Sequence, residues 1–252
     1  MNSHQLTIII PVYNENPNLR KLAENLKLYL RFTPVRTKIR FIDDGSKDGS
    51  SKTIEGICQE CPDFSFIKLA RNYGLSSALK AGIDSCDTKW IGYMDADLQT
   101  SPQDFMLFFK YLDQYNMVTG IRADRKDHLI KKISSRIANL FRQIMIGDGI
   151  KDSCCPLKII ETHHARQIPF FKGMHRFLPA LVLLQGGKVK QVEVRHFPRL
   201  AGQAKYHFFN RLINPFFDTL AFVWMKKRHI SYILQDQPQN VQQKDQKRII
   251  HE

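Results

Sequence analysis

The sequence predicts an α/β fold built on a mostly parallel sheet with helices on both faces. Two observations carry this. Short apolar runs rich in β-branched residues alternate with stretches of helical periodicity, which is the pattern of a sheet covered on both sides. The early runs also end in polar clusters, where parallel sheets bind their ligands.

The first strand is Leu6 to Val12 (LTIIIPV), followed by a helix over Asn18 to Phe32 with apolar residues at 19, 22, 26, 28 and 30. Lys38 to Asp44 (KIRFIDD) is the second strand and runs into GSKDGS. Phe64 to Ala70 is the third, with a helix from about Gly74 to Cys86. WIGYMDAD, ending at Asp97, is the fourth; Ser101-Pro102 then reads as an N-cap and first helical residue. Met117 to Arg122 is a fifth strand. Asp127 to Ile146 reads as a basic amphipathic helix, and Leu157 to Ile160 and Lys188 to Phe197 as further strands. These elements place residues 1–206 in one catalytic domain.

Phe208 to Met225 carries large apolar residues at helical spacing, with Lys226, Lys227 and Arg228 after it. Such a helix lies in a membrane interface, with Phe216, Phe217, Phe222 and Trp224 as anchors, or packs on the core. Residues 207–234 are accordingly an amphipathic interface region. The Gln-rich segment 235–252 is expected to be disordered.

With 38 Lys and Arg against 24 Asp and Glu, the net charge is +14, and the partner is expected to be anionic. No recognised nucleic-acid module accompanies that charge, so no nucleic-acid partner is expected. The amino terminus lacks the basic leader of a secretory signal, and no run approaches the roughly 20 apolar residues of a bilayer span. Five cysteines, with one CxxC at Cys58 and Cys61, lack a second pair at zinc-ribbon spacing and read as packing residues of a reduced compartment. His163, His164 and His175 are likewise not at zinc spacing. Neither GxGxxG nor GxxxxGK[ST] occurs, which weakens the usual dinucleotide and P-loop readings.

Four polar clusters converge on one sheet edge: Tyr13-Asn14-Glu15, Asp43-Asp44-Gly45-Ser46, Arg71-Asn72 and Asp95-Ala96-Asp97. Two carboxylates one residue apart repel each other unless a cation sits between them. Magnesium typically takes one or two protein carboxylates and completes its shell with substrate phosphates. A D-x-D at a strand end thus suits a metal-bound diphosphate.

In this order and spacing, PVYNENPNL, FIDDGSKDGS, ARNYGLSSALKAGI, YMDADLQTSP and GIRADR resemble family 2 glycosyltransferases of GT-A fold. SRIAN, DSCCPLK, GMHRFLPAL and PRLAGQAKY resemble the polyprenyl-phosphate branch of that family, over about residues 5 to 228. The resemblance implies a peripheral enzyme on the cytoplasmic face of the membrane, with homo-oligomers left open. It would move a sugar, with inversion, from a nucleotide sugar, UDP-linked by preference, to a polyprenyl phosphate such as undecaprenyl phosphate. The product would serve cell-envelope glycan or lipid A modification. By position, Pro11, Tyr13, Glu15, Asp43 and Arg71 would hold the nucleoside. Asp95, Asp97 and Gln99 would hold Mg²⁺ or Mn²⁺. Arg122, Arg136, Arg199 and Lys205 would bind phosphates, and Asp152 would sit near the reacting centre. Two departures stand out: Gly202-Gln203-Ala204-Lys205-Tyr206 lacks the family's Ser, and Asp152-Ser153-Cys154 lacks its Gly. Two alternatives remain: transfer to a saccharide or protein hydroxyl, and a non-catalytic protein that binds phosphate or nucleic acid.

Overall fold

A computed structural model describes residues 4–123, 141–198 and 208–230, with backbone alone for 208–214. Seven strands form one sheet in the order β3-β2-β1-β4-β6-β5-β7. They are β1 (Leu6–Val12), β2 (Thr37–Asp43), β3 (Phe64–Lys68), β4 (Trp90–Tyr93), β5 (Met117–Arg122), β6 (Lys158–Glu161) and β7 (Val189–Val194). All neighbours pair parallel except β6, which runs antiparallel to both β4 and β5.

The helices are α1 (Asn16–Phe32), α2 (Ser50–Gln59), α3 (Leu75–Asp84), α5 (Thr162–Gln167), α6 (Leu178–Leu184) and α7 (Phe208–Arg228), with α4 at residues 141–146. Side chains alternate across β1, as strand geometry requires. Ile8 and Ile10 pack with Leu22, Leu26 and Tyr29 of α1, Ile54 and Ile57 of α2, and Phe105 and Phe108. Ile9 faces the other way, onto Ala78, Leu79 and Ile83 of α3, Leu181 of α6 and Phe222 of α7.

Several expectations shift. The helix expected after Pro102 is 3-10, over Pro102–Leu107, and Ser101 makes no side-chain cap bond; its hydroxyl donates to Gln103 Oε1 at 2.5 Å instead. Helices α2, α5 and α6 carry no counterpart in the sequence reading. Of the basic stretch Asp127 to Ile146, only 141–146 fall among the described residues, and they are helical. The Gln-rich tail lies outside them.

Helix α7 divides its apolar stripe between a buried face and an exposed one. Phe222 is 1% exposed and stacks on Phe177 at 5.4 Å between ring centroids. It is a core residue, which corrects its reading as a membrane anchor. Thr219 is buried beside it. Phe216, Phe217, Leu220 and Trp224 point outward. Arg176 Nη1 holds Asp218 Oδ2 at 2.8 Å and fixes the helix rotation.

The two faces should separate in a stability experiment. Phe222→Ala removes a fully packed ring and should cost about 3–5 kcal/mol in denaturant unfolding. Trp224→Ala, on the exposed face, should change stability by no more than about 0.5 kcal/mol.

Candidate active site

Parallel strands deliver their carboxyl ends to one edge. Strand β1 ends beside β2, with Val12 paired to Asp43, and β2 beside β3, with Asp43 paired to Lys68. Strand β4 brings Tyr93, and with it Asp95 and Asp97, to the same edge. Because β6 is antiparallel, its first residue, Lys158, lies there too, opposite both Tyr93 and Thr119.

The loops after β1 and β2 lock together. Asn14 takes a positive φ of 51°. Its amide N–H donates to Ser46 Oγ at 3.0 Å, and its side-chain oxygen accepts the Lys47 N–H at 2.8 Å. The Glu15 N–H donates to Ser50 Oγ at 3.1 Å, while Glu15 Oε2 accepts from Asn18 at 2.8 Å. Asp43 is fully buried and accepts the Ser46 N–H at 2.9 Å, together with the Ser51 hydroxyl.

Asp44 does a different job. Its carboxylate accepts the backbone N–H groups of Tyr73 and Gly74, both at 2.8 Å, and the Asn72 amide at 2.9 Å. This holds the entry to α3 against the β2 loop. Burial raises the Asp44 pKa, and the two backbone donors offset only part of that rise. Gly45 is needed at the crossing: its φ is +69°, and a Cβ there would lie 2.4 Å from the Arg71 carbonyl carbon.

These loops frame two adjoining cavities. One, of about 330 Å³, is lined by Pro11, Tyr13, Glu15, Asp44, Asn72, Asp95 and Asp97, among others. The other, of about 410 Å³, includes Tyr13, Lys47, Lys68, Arg71 and Asn72. Tyr13 and Asn72 line both, so the cavities adjoin from Lys47 after β2 and Lys68 at the end of β3 to the acids after β4. Arg71 lies over the Tyr73 ring at 5.0 Å.

At the acidic end, Tyr93 Oη donates to Asp95 Oδ1 at 2.7 Å. The Gln99 N–H donates to Asp97 Oδ1 at 3.2 Å across Leu98, whose φ is +61°. Burial, then the neighbouring charge of Asp97, pushes Asp95 up to about 6. That repulsion is what a divalent cation relieves, so the pair fits one; Asp95 and Asp97 would hold it. Among the described residues no group of three or more His, Cys, Asp or Glu forms a complete protein cage. Substrate phosphates would have to supply much of the coordination, as suits magnesium. Gln99 also donates its side-chain amide to the Phe197 carbonyl, at 3.5 Å, and accepts the Phe197 N–H at 2.9 Å. It therefore ties the acidic loop to the segment after β7.

Arg122 and Asp152, thirty residues apart, form a two-pronged ion pair with both side-chain bonds at 2.8 Å. Burial works to lower the Arg122 pKa, and the bonds to Asp152 outweigh it, so the arginine stays charged. Its guanidinium is committed to that carboxylate and can meet a phosphate only through the donors left over. Sequence reasoning missed Lys158. It is 1% exposed, with its ammonium 5.9 Å from the Tyr93 ring centroid. Burial lowers its pKa, and the nearby Asp152 carboxylate opposes that. Lys158 and Arg122 both act on Asp95 as stabilising positive charges. Asp44 was also overlooked as a positioning group; its adjacency to Asp43 was the available signal. Arg136, Arg199 and Lys205 lie outside the described residues, as does the Gly202 to Tyr206 departure. His175 is buried and neutral, held down to about 3 first by burial and then by Arg176.

An α/β sheet with a paired-carboxylate cleft at its carboxyl edge places the chain in a structural class that comparison makes definite. A mannosyltransferase from Pyrobaculum calidifontis, solved with GDP-Man and Mn²⁺, superposes with a TM-score of 0.65 at 14% identity, over 91% of this chain and 66% of that one. Glucosyl-3-phosphoglycerate synthase from Mycobacterium tuberculosis, solved with Mn²⁺, UDP and glucosyl-3-phosphoglycerate, gives 0.67 at 10% identity, over 90% and 81%. These likenesses establish the GT-A fold. Residues 7–169 match the model of glycosyl transferase family 2, and the chain belongs to that family. It is 30% identical over 212 residues, 82% of its length, to the dodecaprenyl-phosphate galacturonate synthase of Rhizobium johnstonii. It is also 30% identical over 219 residues, 86% of its length, to the undecaprenyl-phosphate 4-deoxy-4-formamido-L-arabinose transferase of Yersinia pestis. The chain spans 63% and 66% of those relatives.

The raised Asp95 pKa has a sign that can be measured. A carboxyl whose folded pKa exceeds its unfolded value loses stability as pH rises through the folded value. In EDTA, Asp95→Asn should therefore gain on the wild type in melting temperature as pH rises from about 4 to about 6, between the ordinary and the raised value, with little further change above. A difference independent of pH would mean that Asp95 carries no such penalty.

Proposed function

We propose that this protein transfers a sugar from a nucleoside-diphosphate sugar, UDP-linked, to the phosphate of a polyprenyl lipid such as undecaprenyl phosphate, with inversion at the anomeric carbon. The observation that carries the donor half is the pair of adjoining cavities, running from the Tyr13 and Arg71 end to Asp95 and Asp97. The 30% identity to two polyprenyl-phosphate sugar transferases supports the acceptor half. The product would feed cell-envelope glycan or lipid A modification.

The chemistry asks little of a general base. An acceptor phosphate oxygen is already ionised near neutral pH; it attacks the anomeric carbon as the bond to the donor's β-phosphate oxygen breaks, and the nucleoside diphosphate departs. The obstacle is two anions in one site. Bound Mg²⁺ or Mn²⁺ would supply Lewis-acid neutralisation of the departing diphosphate. Asp95 and Asp97 would hold that ion, with Tyr93 orienting Asp95. Lys158 and Arg122 set a positive potential behind them in a partly desolvated site. Asp152 keeps Arg122 in position. Arg136, Arg199 and Lys205 are assigned to phosphate binding on the resemblance alone, and Gln99 to the metal in the same way.

Product mass is the direct test. Incubation with Mn²⁺, a panel of UDP-sugars and undecaprenyl phosphate should yield a lipid heavier by one glycosyl residue. Asp97→Ala should lower turnover by at least about 10²–10³-fold. Sugar appearing on a free saccharide with the lipid untouched would favour the hydroxyl-acceptor alternative.

A lipid acceptor requires contact with a membrane. Among the described residues no helix is long and apolar enough to cross one. The outward face of α7 suits the interface instead: Phe217 is 62% and Trp224 65% exposed, next to Leu220 and to Phe216 stacked on Phe141. Ile144 on α4 extends the patch. Lys227 and Arg228 flank it, each worth about 1 kcal/mol near anionic lipid; Lys226 is occupied with the Ile146 carbonyl at 2.8 Å. The protein should float with anionic liposomes, and the Phe216→Asp, Phe217→Asp double variant should sediment while still binding UDP. Equal flotation of both proteins would move the membrane contact elsewhere.

A further inference from the structure

Two tethers join parts of the chain that the sheet does not bring together. Strands β4 and β7 are not neighbours, because β6 and β5 lie between them; at the usual strand spacing they stand roughly 14 Å apart. Yet the loop after β4, which carries Asp95 and Asp97, is fastened to the segment after β7. Gln99 accepts the Phe197 N–H at 2.9 Å and donates its side-chain amide to the Phe197 carbonyl at 3.5 Å. Asp104, 3% exposed, accepts three bonds from Arg195: its backbone N–H and Nε, both at 2.8 Å, and Nη2 at 2.5 Å. Nη2 also donates to Ser101 Oγ at 3.4 Å. The segment after β7 is itself anchored, since Val194 pairs with Arg122 and its carbonyl accepts the Ala123 N–H at 3.0 Å.

The tethered loop contains a strained turn. Leu98, 8% exposed, has a φ of +61°. A bulky residue rarely adopts that conformation, and it persists only where the surroundings over-determine it. Across this turn Asp97 Oδ1 accepts the Gln99 N–H at 3.2 Å. The direction of the Asp97 carboxylate therefore depends on a turn whose far side is held by Phe197 and Arg195. Asp104 and Arg195 line neither cavity of the cleft, so any effect they have on a ligand passes through this loop.

We propose that Asp104 and Arg195 are positioning residues for the transfer: they hold the loop after β4 in the form that presents Asp97 to a metal-bound diphosphate. This rests on the reading of the cleft as a nucleotide-sugar site.

Calorimetric titration of the full chain with UDP, in Mn²⁺ and in EDTA, tests it. Mn²⁺ should raise the affinity of the wild type for UDP. Arg195→Ala should cut that Mn²⁺-to-EDTA ratio by about tenfold or more, the scale for a group that orients a metal ligand. Its affinity in EDTA should stay near the wild-type value, because the loops around Tyr13, Asp44 and Asn72 do not depend on the pair. Arg195→Lys keeps the charge but loses the fork, and should recover part of the ratio. Arg195→Ala leaves a buried carboxylate without its cation, which can destabilise the fold. The Asp104→Asn, Arg195→Ala double variant avoids that lone charge and should lose the ratio as well; thermal melting checks that each variant folds. An unchanged ratio in the folded double variant overturns the proposal. So does an equal loss in Mn²⁺ and in EDTA, the mark of a general structural role. In both cases the nucleotide-sugar reading stands. A wild type whose UDP affinity ignores Mn²⁺ overturns the proposal and leaves the cleft a metal-independent nucleotide site, and one that binds no UDP removes the reading and the proposal together.

Discussion

The constraint on which this site depends is that carboxylates gathered at one sheet edge must each find compensation, because an uncompensated buried charge is costly. The protein meets it in two ways. Asp43 and Asp44 are satisfied by hydroxyl, amide and backbone donors, and in accepting them they shape the loops around the cleft. Asp152 is satisfied by the fork of Arg122. Asp95 receives one phenol, while burial and then its neighbour Asp97 raise its pKa. The first group builds the walls, and the D-x-D pair holds the unresolved repulsion that makes a cation welcome.

The same division explains what could be read in the sequence. Strands β1 and β2 were legible because runs such as LTIIIPV and KIRFIDD have a composition suited to burial in a sheet, and their polar ends mark the carboxyl edge. Helix α2 was not: in ten residues only Ser50, Ile54 and Ile57 are buried, too sparse an apolar stripe to stand out. Strand direction leaves no trace in composition, so the reversal of β6 was invisible, and with it the arrival of Lys158 at the edge. The Arg122–Asp152 pair spans thirty residues and exists only because β5 and the segment before β6 meet. A motif can nominate Arg122 for a phosphate; only the fold shows that a carboxylate already holds it.

Periodicity established that α7 had an apolar stripe but could not divide it between solvent and core. The division follows from a joint at Gly173. The Asp218 carboxylate occupies the space where a Cβ on Gly173 would sit, 2.3 Å from Oδ2, and glycine with a φ of +96° makes that possible. Arg176 then pairs with Asp218. On the other side, the Gly173 N–H donates to Ser76 Oγ, which contacts His175 Nδ1, each at 3.0 Å.

Ser76 is the second residue of α3, the helix whose entry Asp44 holds and whose Leu75 and Ala78 line the cleft. A continuous run of packed and hydrogen-bonded groups therefore joins the outward-facing helix to the cleft wall. His175 stays neutral well below physiological pH, since burial depresses it to about 3. Its bond to Ser76 is therefore insensitive to changes in protonation near neutrality, and the joint works as a fixed bracket. For the proposed reaction, between a water-soluble donor and an acceptor confined to a bilayer, a fixed bracket would have a direct use: it would set the orientation of the donor cleft relative to any surface on which α7 rests.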